Sequence, residues 1–368
     1  MAQIMKSSYK SKKVDLDFPT SISLGFRQRG VALLAVLWLS VALSLMALST
    51  ASIVRTETVS VNNKLDSQRG YYMARGGIEA AIYAIGNPLS LRVGETRTPA
   101  PDEYVPGRRW MHFDYQGGST LVEIIPENAK IGANQASLAQ LQALFEQLGL
   151  QSDESAELAG AMVEWRSPLT STIETPFDIF YSTVSPPYHA KHAVFEDLEE
   201  LLAVKGMTRD LYFGELSQKS DGAWQRRPSI PDLLTTEPNL GGINVNYAAA
   251  EVMATMPGWD NQLADQIVSA RSDGVIGARP FDSLDDLTRR VPAVATVTAI
   301  SPIYLNSGSV FTLIATAQPD GTKVRRTVRA IVRIESSLPL GHRIQGWWED
   351  WPWSPVPANA FEGNEDGI

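Results

Sequence analysis

Residues 31–54 read VALLAVLWLSVALSLMALSTASIV, an apolar run without one charged residue, set between Arg27 and Arg29 on one side and Arg55 on the other. As a helix rising ~1.5 Å per residue it reaches roughly 36 Å, enough to cross a hydrocarbon core of ~30 Å. Helices of soluble cores rarely stay uncharged for so long, so the run reads as a single membrane span, and the sequence holds no second one. Lys6, Lys10, Lys12, Lys13, Arg27 and Arg29 precede it against Asp15 and Asp17. That excess of positive charge predicts a cytoplasmic N-terminus and export of the remainder. Ala47, Ser49 and Ala51 are small enough to suit signal-peptidase cleavage after the run. Against that stands Arg27-Gln28-Arg29-Gly30, a basic stretch ending in Gly directly before the apolar helix.

The chain has 368 residues, 44% hydrophobic and 20% charged, which suits more than one packed domain and argues against wholesale disorder. It contains no Cys, which excludes a disulfide framework, a thiolate zinc site and a Cys nucleophile. Four His make a multi-histidine metal centre improbable, and a net charge of −9 lacks the footprint that phosphate backbones select.

Helical periodicity continues beyond the span to Ile85, with Ile78, Ala81, Ile82 and Ile85 on one apolar stripe, and Gly86-Asn87-Pro88 is a stop signal. The whole makes one helix of about 55 residues, roughly 80 Å long. Gly76-Gly77 weakens its lower end. No sustained heptad pattern runs through residues 56–75, so the stripe is expected on a sheet and not in a coiled coil. Strand alternation appears in Arg109–Tyr115 and Ser119–Ile125 around Gln116-Gly117-Gly118, and again in Ser309–Ala317 and Thr322–Ile334 around Gln318-Pro319-Asp320-Gly321. Two hairpins separated by a long helical stretch predict an antiparallel sheet interrupted by an inserted domain. The fold class is therefore α+β, with the long N-terminal helix packed on the sheet.

Within the insertion the sequence repeats. Ile131-Gly132-Ala133-Asn134-Gln135-Ala136 matches Ile243-Asn244-Val245-Asn246-Tyr247-Ala248, the stretch Leu158–Arg166 matches Leu263–Arg271, and Phe195–Leu201 matches Phe281–Leu287. Three matches in the same order predict a duplicated unit of short helices. Asn134 and Asn246 are expected as helix N-caps. The second copy, with Met256-Pro257-Gly258, is similar to a helix-hairpin-helix module, which in nucleic-acid readers offers backbone N–H groups to a phosphate. Residues 128–298 carry 12 Lys and Arg against 23 Asp and Glu, so no nucleic-acid partner is expected.

The Arg27–Leu34 segment resembles the class III leader of type IV pilins and type II secretion pseudopilins. The ordered blocks Ile243–Arg271, Pro186-Pro187-Tyr188 and Phe195–Leu201 extend the resemblance to the protein K family of minor pseudopilins over about residues 29–335. It implies cleavage between Gly30 and Val31 by an inner-membrane prepilin peptidase, with N-methylation of Val31. It also implies a pilin-like fold, assembly with the minor pseudopilins I and J, and a cap on a periplasmic pseudopilus. Most pilin-like subunits have Glu at the fifth mature position; Ala35 stands there. The resulting division is 1–30 leader, 31–54 membrane span, 55–127 first pseudopilin part, 128–298 inserted helical domain, 299–336 closing strands and 337–368 Trp/Pro-rich tail. The stripe at Ile78, Ala81, Ile82 and Ile85 is expected to serve assembly.

Calcium has been associated with that family's helical domain. Family members carry an Asp-Trp pair with further acids where this chain has Glu164-Trp165-Arg166-Ser167-Pro168, which leaves Glu164, Glu174 and Asp178 as weak candidates and no cofactor as the default expectation. The tail holds Trp347, Trp348, Trp351 and Trp353 among Pro and acids, too few residues for a core of its own but suited to docking on this chain or a partner. No phosphate-binding Gly loop or nucleophile elbow is present, and His189 and His192 stand three apart without further clustered ligands, so no enzymatic activity is expected. The expected function is structural, a minor pseudopilin of the inner membrane and periplasm. The alternatives are a minor pilin of a type IV pilus or competence system, and a membrane-tethered nucleic-acid binder.

Overall fold

The computed structural model describes residues 28–88, 100–169, 174–218, 224–238, 242–271, 279–298, 300–352 and 361. The leader's residues 1–27 and Trp353 lie outside them. The chain divides into two compact units, Met1–Asn62 and Asn63–Ile368.

One helix, Gln28–Gly86, belongs to both units. In the first, its side chains from Ala32 to Val59 are exposed on every side. The hydroxyls inside this apolar stretch are satisfied within the helix: Ser40 donates to Leu37 O at 2.8 Å, Ser44 to Ser40 O at 2.8 Å and Thr50 to Met46 O at 2.8 Å. Such back-bonding lets polar residues sit in a surface that offers no water.

In the second unit the same helix lies on a five-stranded antiparallel sheet. The strand order is Trp110–Tyr115, Gly118–Pro126, Val310–Pro319, Arg326–Ile334 and His342–Trp348. Ala74, Ile78, Ala81, Ile82 and Ile85 are buried against Met111, Val122, Ile124, Leu313, Ala330 and Val332. The helix continues through Gly76-Gly77, where the sequence predicted weakness. Gly77 is needed for close approach: a Cβ there would stand 2.5 Å from Thr120 Cγ2 and 3.2 Å from Val122 Cγ2. At Gly76 a Cβ would meet nothing closer than 3.4 Å.

Between the second and third strands of the sheet the chain leaves at Pro126 and re-enters at Val310, later than the sequence boundary at residue 299. At the exit Lys130 is fully buried, 2.6 Å from Glu127 Oε1 and 2.8 Å from Thr312 Oγ1 on the returning strand. Asn128 Nδ2 also donates to Asn306 O at 2.9 Å, so departing and returning segments are tied before they diverge.

The duplication recurs in the inserted region's hydrogen bonds. In the first copy Ile131–Gly132 pairs in parallel with Leu234–Thr235, helix Leu138–Gln147 follows, and a turn through Gly149 (φ +89°) leads to helix Ser152–Arg166. In the second Ile243–Asn244 pairs in parallel with Ile303–Tyr304, then come helix Ala250–Met253, a turn through Gly258 (φ +83°) and helix Asn261–Arg271. Each second helix ends in an arginine forked onto two carbonyls of its own copy: Arg166 on Ala133 O and Ala136 O, Arg271 on Val245 O and Ala248 O. Burial, with the charge of Arg109 second, pushes the Arg271 guanidinium well below its ordinary pKa. The two carbonyls remain its compensation for lost water.

Asn134 and Asn246 are not N-caps. Asn134 exchanges two bonds with the backbone of Phe195, donating to its O at 2.9 Å and accepting from its N at 2.7 Å. Asn246 does the same with Phe281, at 3.1 and 2.8 Å. Helix Leu138–Gln147 is capped instead by Ser137, which accepts from Gln140 N at 3.1 Å, and helix Ala250–Met253 begins after Ala249 without a side-chain cap. An amide has a donor and an acceptor and can satisfy both backbone groups of a distant segment, whereas a cap uses only its oxygen.

The tail adds the fifth strand, which the sequence left without an element. His342–Trp348 pairs with Arg326–Ile334, with a register shift between Ile331 and Val332. Trp351 is then buried among residues of the inserted domain's core.

Two outcomes check this account. Gly77→Val should lower stability by about 1–3 kcal/mol through overpacking, while Gly76→Ala should be neutral or slightly stabilising, both read from thermal unfolding in detergent. Asn246→Ala strands the buried backbone N–H and C=O of Phe281 and should cost about 1–3 kcal/mol in urea unfolding. An unchanged midpoint would mean that the clamp contributes nothing.

Candidate functional site

Gly30 and Val31 both lie within helix Gln28–Gly86, and Ala35 is exposed on its apolar half. From Ala32 the helix is long and apolar enough to cross a membrane, with a mean hydropathy of 2.3 in its most apolar window. It is the candidate membrane anchor of the chain.

Further along, the structure corrects the assembly stripe. Ile78 and Ala81 are 0% exposed, Ile82 5% and Ile85 8%, all covered by the chain's own sheet. No apolar surface is left there for a partner. The opposite face carries Leu65, Gln68, Tyr72, Glu79 and Tyr83, all exposed, with Tyr72 at 64% and Tyr83 at 73%. These residues recur at intervals of three, four and seven, a helical spacing legible in the sequence but hidden by the stronger apolar stripe.

A second constellation lies in the inserted domain. Glu164 sits in the last turn of helix Ser152–Arg166 and Asp178 in the first turn of helix Pro176–Thr183. His192 follows on the loop after Pro186-Pro187-Tyr188, with a left-handed backbone at φ +48°. One ligand atom from each of the three lies within 4.8 Å of the others. His192 Nε2 is 2.9 Å from Asp178 Oδ1, and its Nδ1 is 3.2 Å from Ser167 O. Asp178 Oδ2 accepts from Thr175 N at 3.2 Å and from Thr175 Oγ1 at 3.1 Å. Burial pushes the Asp178 carboxyl up, but these bonds and His192 outweigh it and hold the group below the usual carboxylate range.

An aromatic floor fixes this loop. Trp165 meets Tyr181 edge-on at 5.4 Å, Tyr181 and Tyr188 lie 5.2 Å apart, and the Tyr188 hydroxyl donates to Ala203 O at 2.7 Å. Of the three acids singled out in the sequence, Glu164 and Asp178 come together, while Glu174 is exposed and outside the group. His192 has no recognisable ligand spacing in the sequence, because its partners lie 14 and 28 positions upstream.

The tail docks on this chain. Arg329, 2% exposed, lies against the rings of both Trp348 and Trp351 at 4.6 and 4.7 Å, and Trp348 Nε1 donates to Glu199 Oε1 at 2.9 Å. Burial pushes the Arg329 guanidinium down in pKa, countered by the charges of Glu127 and Asp232. The tail thus joins the sheet to the inserted domain's Leu198–Ala203 turn.

Residues 120–213 match the family model of type II secretion system protein K. No curated protein sequence matches the chain. Among solved structures, the crystal structure of the GspK-GspI-GspJ complex from the enterotoxigenic Escherichia coli type 2 secretion system contains a similar chain. It is 16% identical over 78% of this chain and 98% of that one, with a TM-score of 0.47. The matched span takes in most of the sheet's second strand, both helices of the first copy, the aromatic floor and the His192 loop, and over residues 120–213 the chain is similar to protein K of type II secretion systems.

Proposed function

We propose that the chain is a minor pseudopilin that primes and caps the periplasmic pseudopilus of a type II secretion system, supporting export of folded proteins. The observation that carries this reading is the match of residues 120–213 to protein K, in a region set into the sheet that the second half of a membrane-length helix lies on. Such a chain anchors in the inner membrane through residues 31–54, keeps its N-terminus in the cytoplasm and places the rest in the periplasm. Prepilin peptidase cuts between Gly30 and Val31 and methylates Val31.

Ala35 suits the topmost position. A Glu in lipid needs a partner charge, which in a helical fibre the neighbour above would supply, and the last subunit has no such neighbour. The inserted domain suits it too, because a body of that size has no room between subunits at pilin spacing. Partners are the minor pseudopilins I and J. They meet the Tyr72, Glu79 and Tyr83 face of the helix, since the stripe at Ile78, Ala81, Ile82 and Ile85 is already used. The role is structural and not catalytic.

Co-expression with a prepilin peptidase tests the reading. Intact-mass analysis should find a mature, methylated terminus at Val31, and Gly30→Leu should accumulate the uncut precursor because its side chain crowds the scissile bond. A mature terminus after Ala47 or Ala51 would remove the membrane helix and sink the proposal. Tyr83→Glu should keep the unfolding midpoint of the free subunit yet weaken co-purification with the two small pseudopilins about tenfold or more. Ile82→Asp should unfold the subunit itself.

A further inference from the structure

The protein K resemblance implies calcium in the helical domain, and this chain's donors do not suit it. Calcium takes six to eight oxygen ligands. Among the described residues, two carboxylates and one imidazole converge at the candidate position. Arg166, next to Trp165, is turned away onto Ala133 O and Ala136 O, and Glu174 is exposed elsewhere.

The same three groups have the composition of a different site. We infer that Glu164, Asp178 and His192 hold a divalent transition metal of the zinc class. Ser167 O can only accept, so Nδ1 of His192 carries its proton and Nε2 is the nitrogen turned to Asp178 Oδ1. A backbone carbonyl on the far ring nitrogen is the usual means of fixing a metal-binding histidine's tautomer and ring plane. Asp178 is oriented likewise: Thr175 N and Oγ1 hold Oδ2 and leave Oδ1 free to face the imidazole. Glu164 completes a set of three N and O ligands, and water supplies a fourth, because the His192 side chain remains 12% exposed.

Ligand atoms on one zinc ion stand roughly 3.3 Å apart at bond lengths of about 2.0–2.2 Å. The 2.9 Å between Nε2 and Oδ1 therefore has to open by only a few tenths of an ångström. The ion then takes the place of the proton between these two atoms, and its charge is met by two carboxylates. The inference is independent of the pseudopilin reading, since it concerns only these side chains.

Titration calorimetry on the full-length chain in detergent, stripped with a chelator, tests it with Zn2+ and Ca2+ as probes. One equivalent of Zn2+ should bind and raise the unfolding midpoint, and millimolar Ca2+ should not displace it. His192→Ala and Glu164→Gln should each weaken Zn2+ about tenfold or more, whereas His189→Ala should bind as the parent does. If His192→Ala fails to fold by circular dichroism, Glu164→Gln decides, because Glu164 is half-buried and its change alters only the charge. Absence of Zn2+ binding by the parent, undiminished binding in the folded variants, or tighter binding of Ca2+ than of Zn2+ would overturn the inference.

Discussion

The pairing of strand Gly118–Pro126 with strand Val310–Pro319 is the constraint on which the rest of the second unit depends. Nine residue pairs, from Gly118↔Pro319 to Pro126↔Phe311, join parts of the chain separated by the whole inserted domain. Loop-closure entropy grows only logarithmically, by about 0.6 kcal/mol for each doubling of length, so a long insertion is tolerated once it has a core of its own. It has one: Leu141, Leu144, Phe145, Leu158, Met162, Leu263 and Ile267 are buried together. Ile125 and Ile314 belong to that same core, so one face of the paired strands carries the inserted domain while the other carries the helix. Separating the strands would uncover both faces at once.

A second economy is the reuse of one hydrogen-bond scheme. The two copies differ in most side chains, and the first helices differ in length, yet the Asn clamp on a Phe backbone and the Arg fork on two carbonyls recur at matched positions. Both devices satisfy backbone groups that irregular connections leave open in a buried place. A domain of short helices and two-residue strands has few regular ladders, and these side chains stand in for them. The turn at Gly258 serves packing, with Trp259 beside it 93% buried by its 7% exposure.

What was legible in the sequence was whatever repeats at a period or returns in order. The long helix, both hairpins and the duplication follow from apolar spacing, turn residues and ordered matches, and the structure contains each. What was not legible depends on who stands opposite. Asn134 and Asn246 have cap chemistry, but their partners Phe195 and Phe281 lie 61 and 35 positions away. Gly77 looks like a helix weakness until Thr120 is seen across from it. The tail's four tryptophans outweighed the alternation of His342–Trp348, and the cation that two of them contact, Arg329, lies on a strand read for a different reason. His192 belongs to the same class, a residue without local partners that the fold supplies with two.

The consumption of the helix's apolar stripe bears on how such a subunit meets others. If Ile78, Ala81, Ile82 and Ile85 had remained open, the free subunit would expose core-like surface and depend on partners to fold, as obligate assemblies do. Here the sheet closes that core within one chain, so the stripe needs no partner to be buried. The face that remains, with Tyr72, Glu79 and Tyr83, is aromatic and polar, a composition suited to binding through a few anchored rings. Assembly through such a face is reversible in a way that core exchange is not. On the proposed function, that property suits a subunit held singly in a membrane before it is built into anything larger.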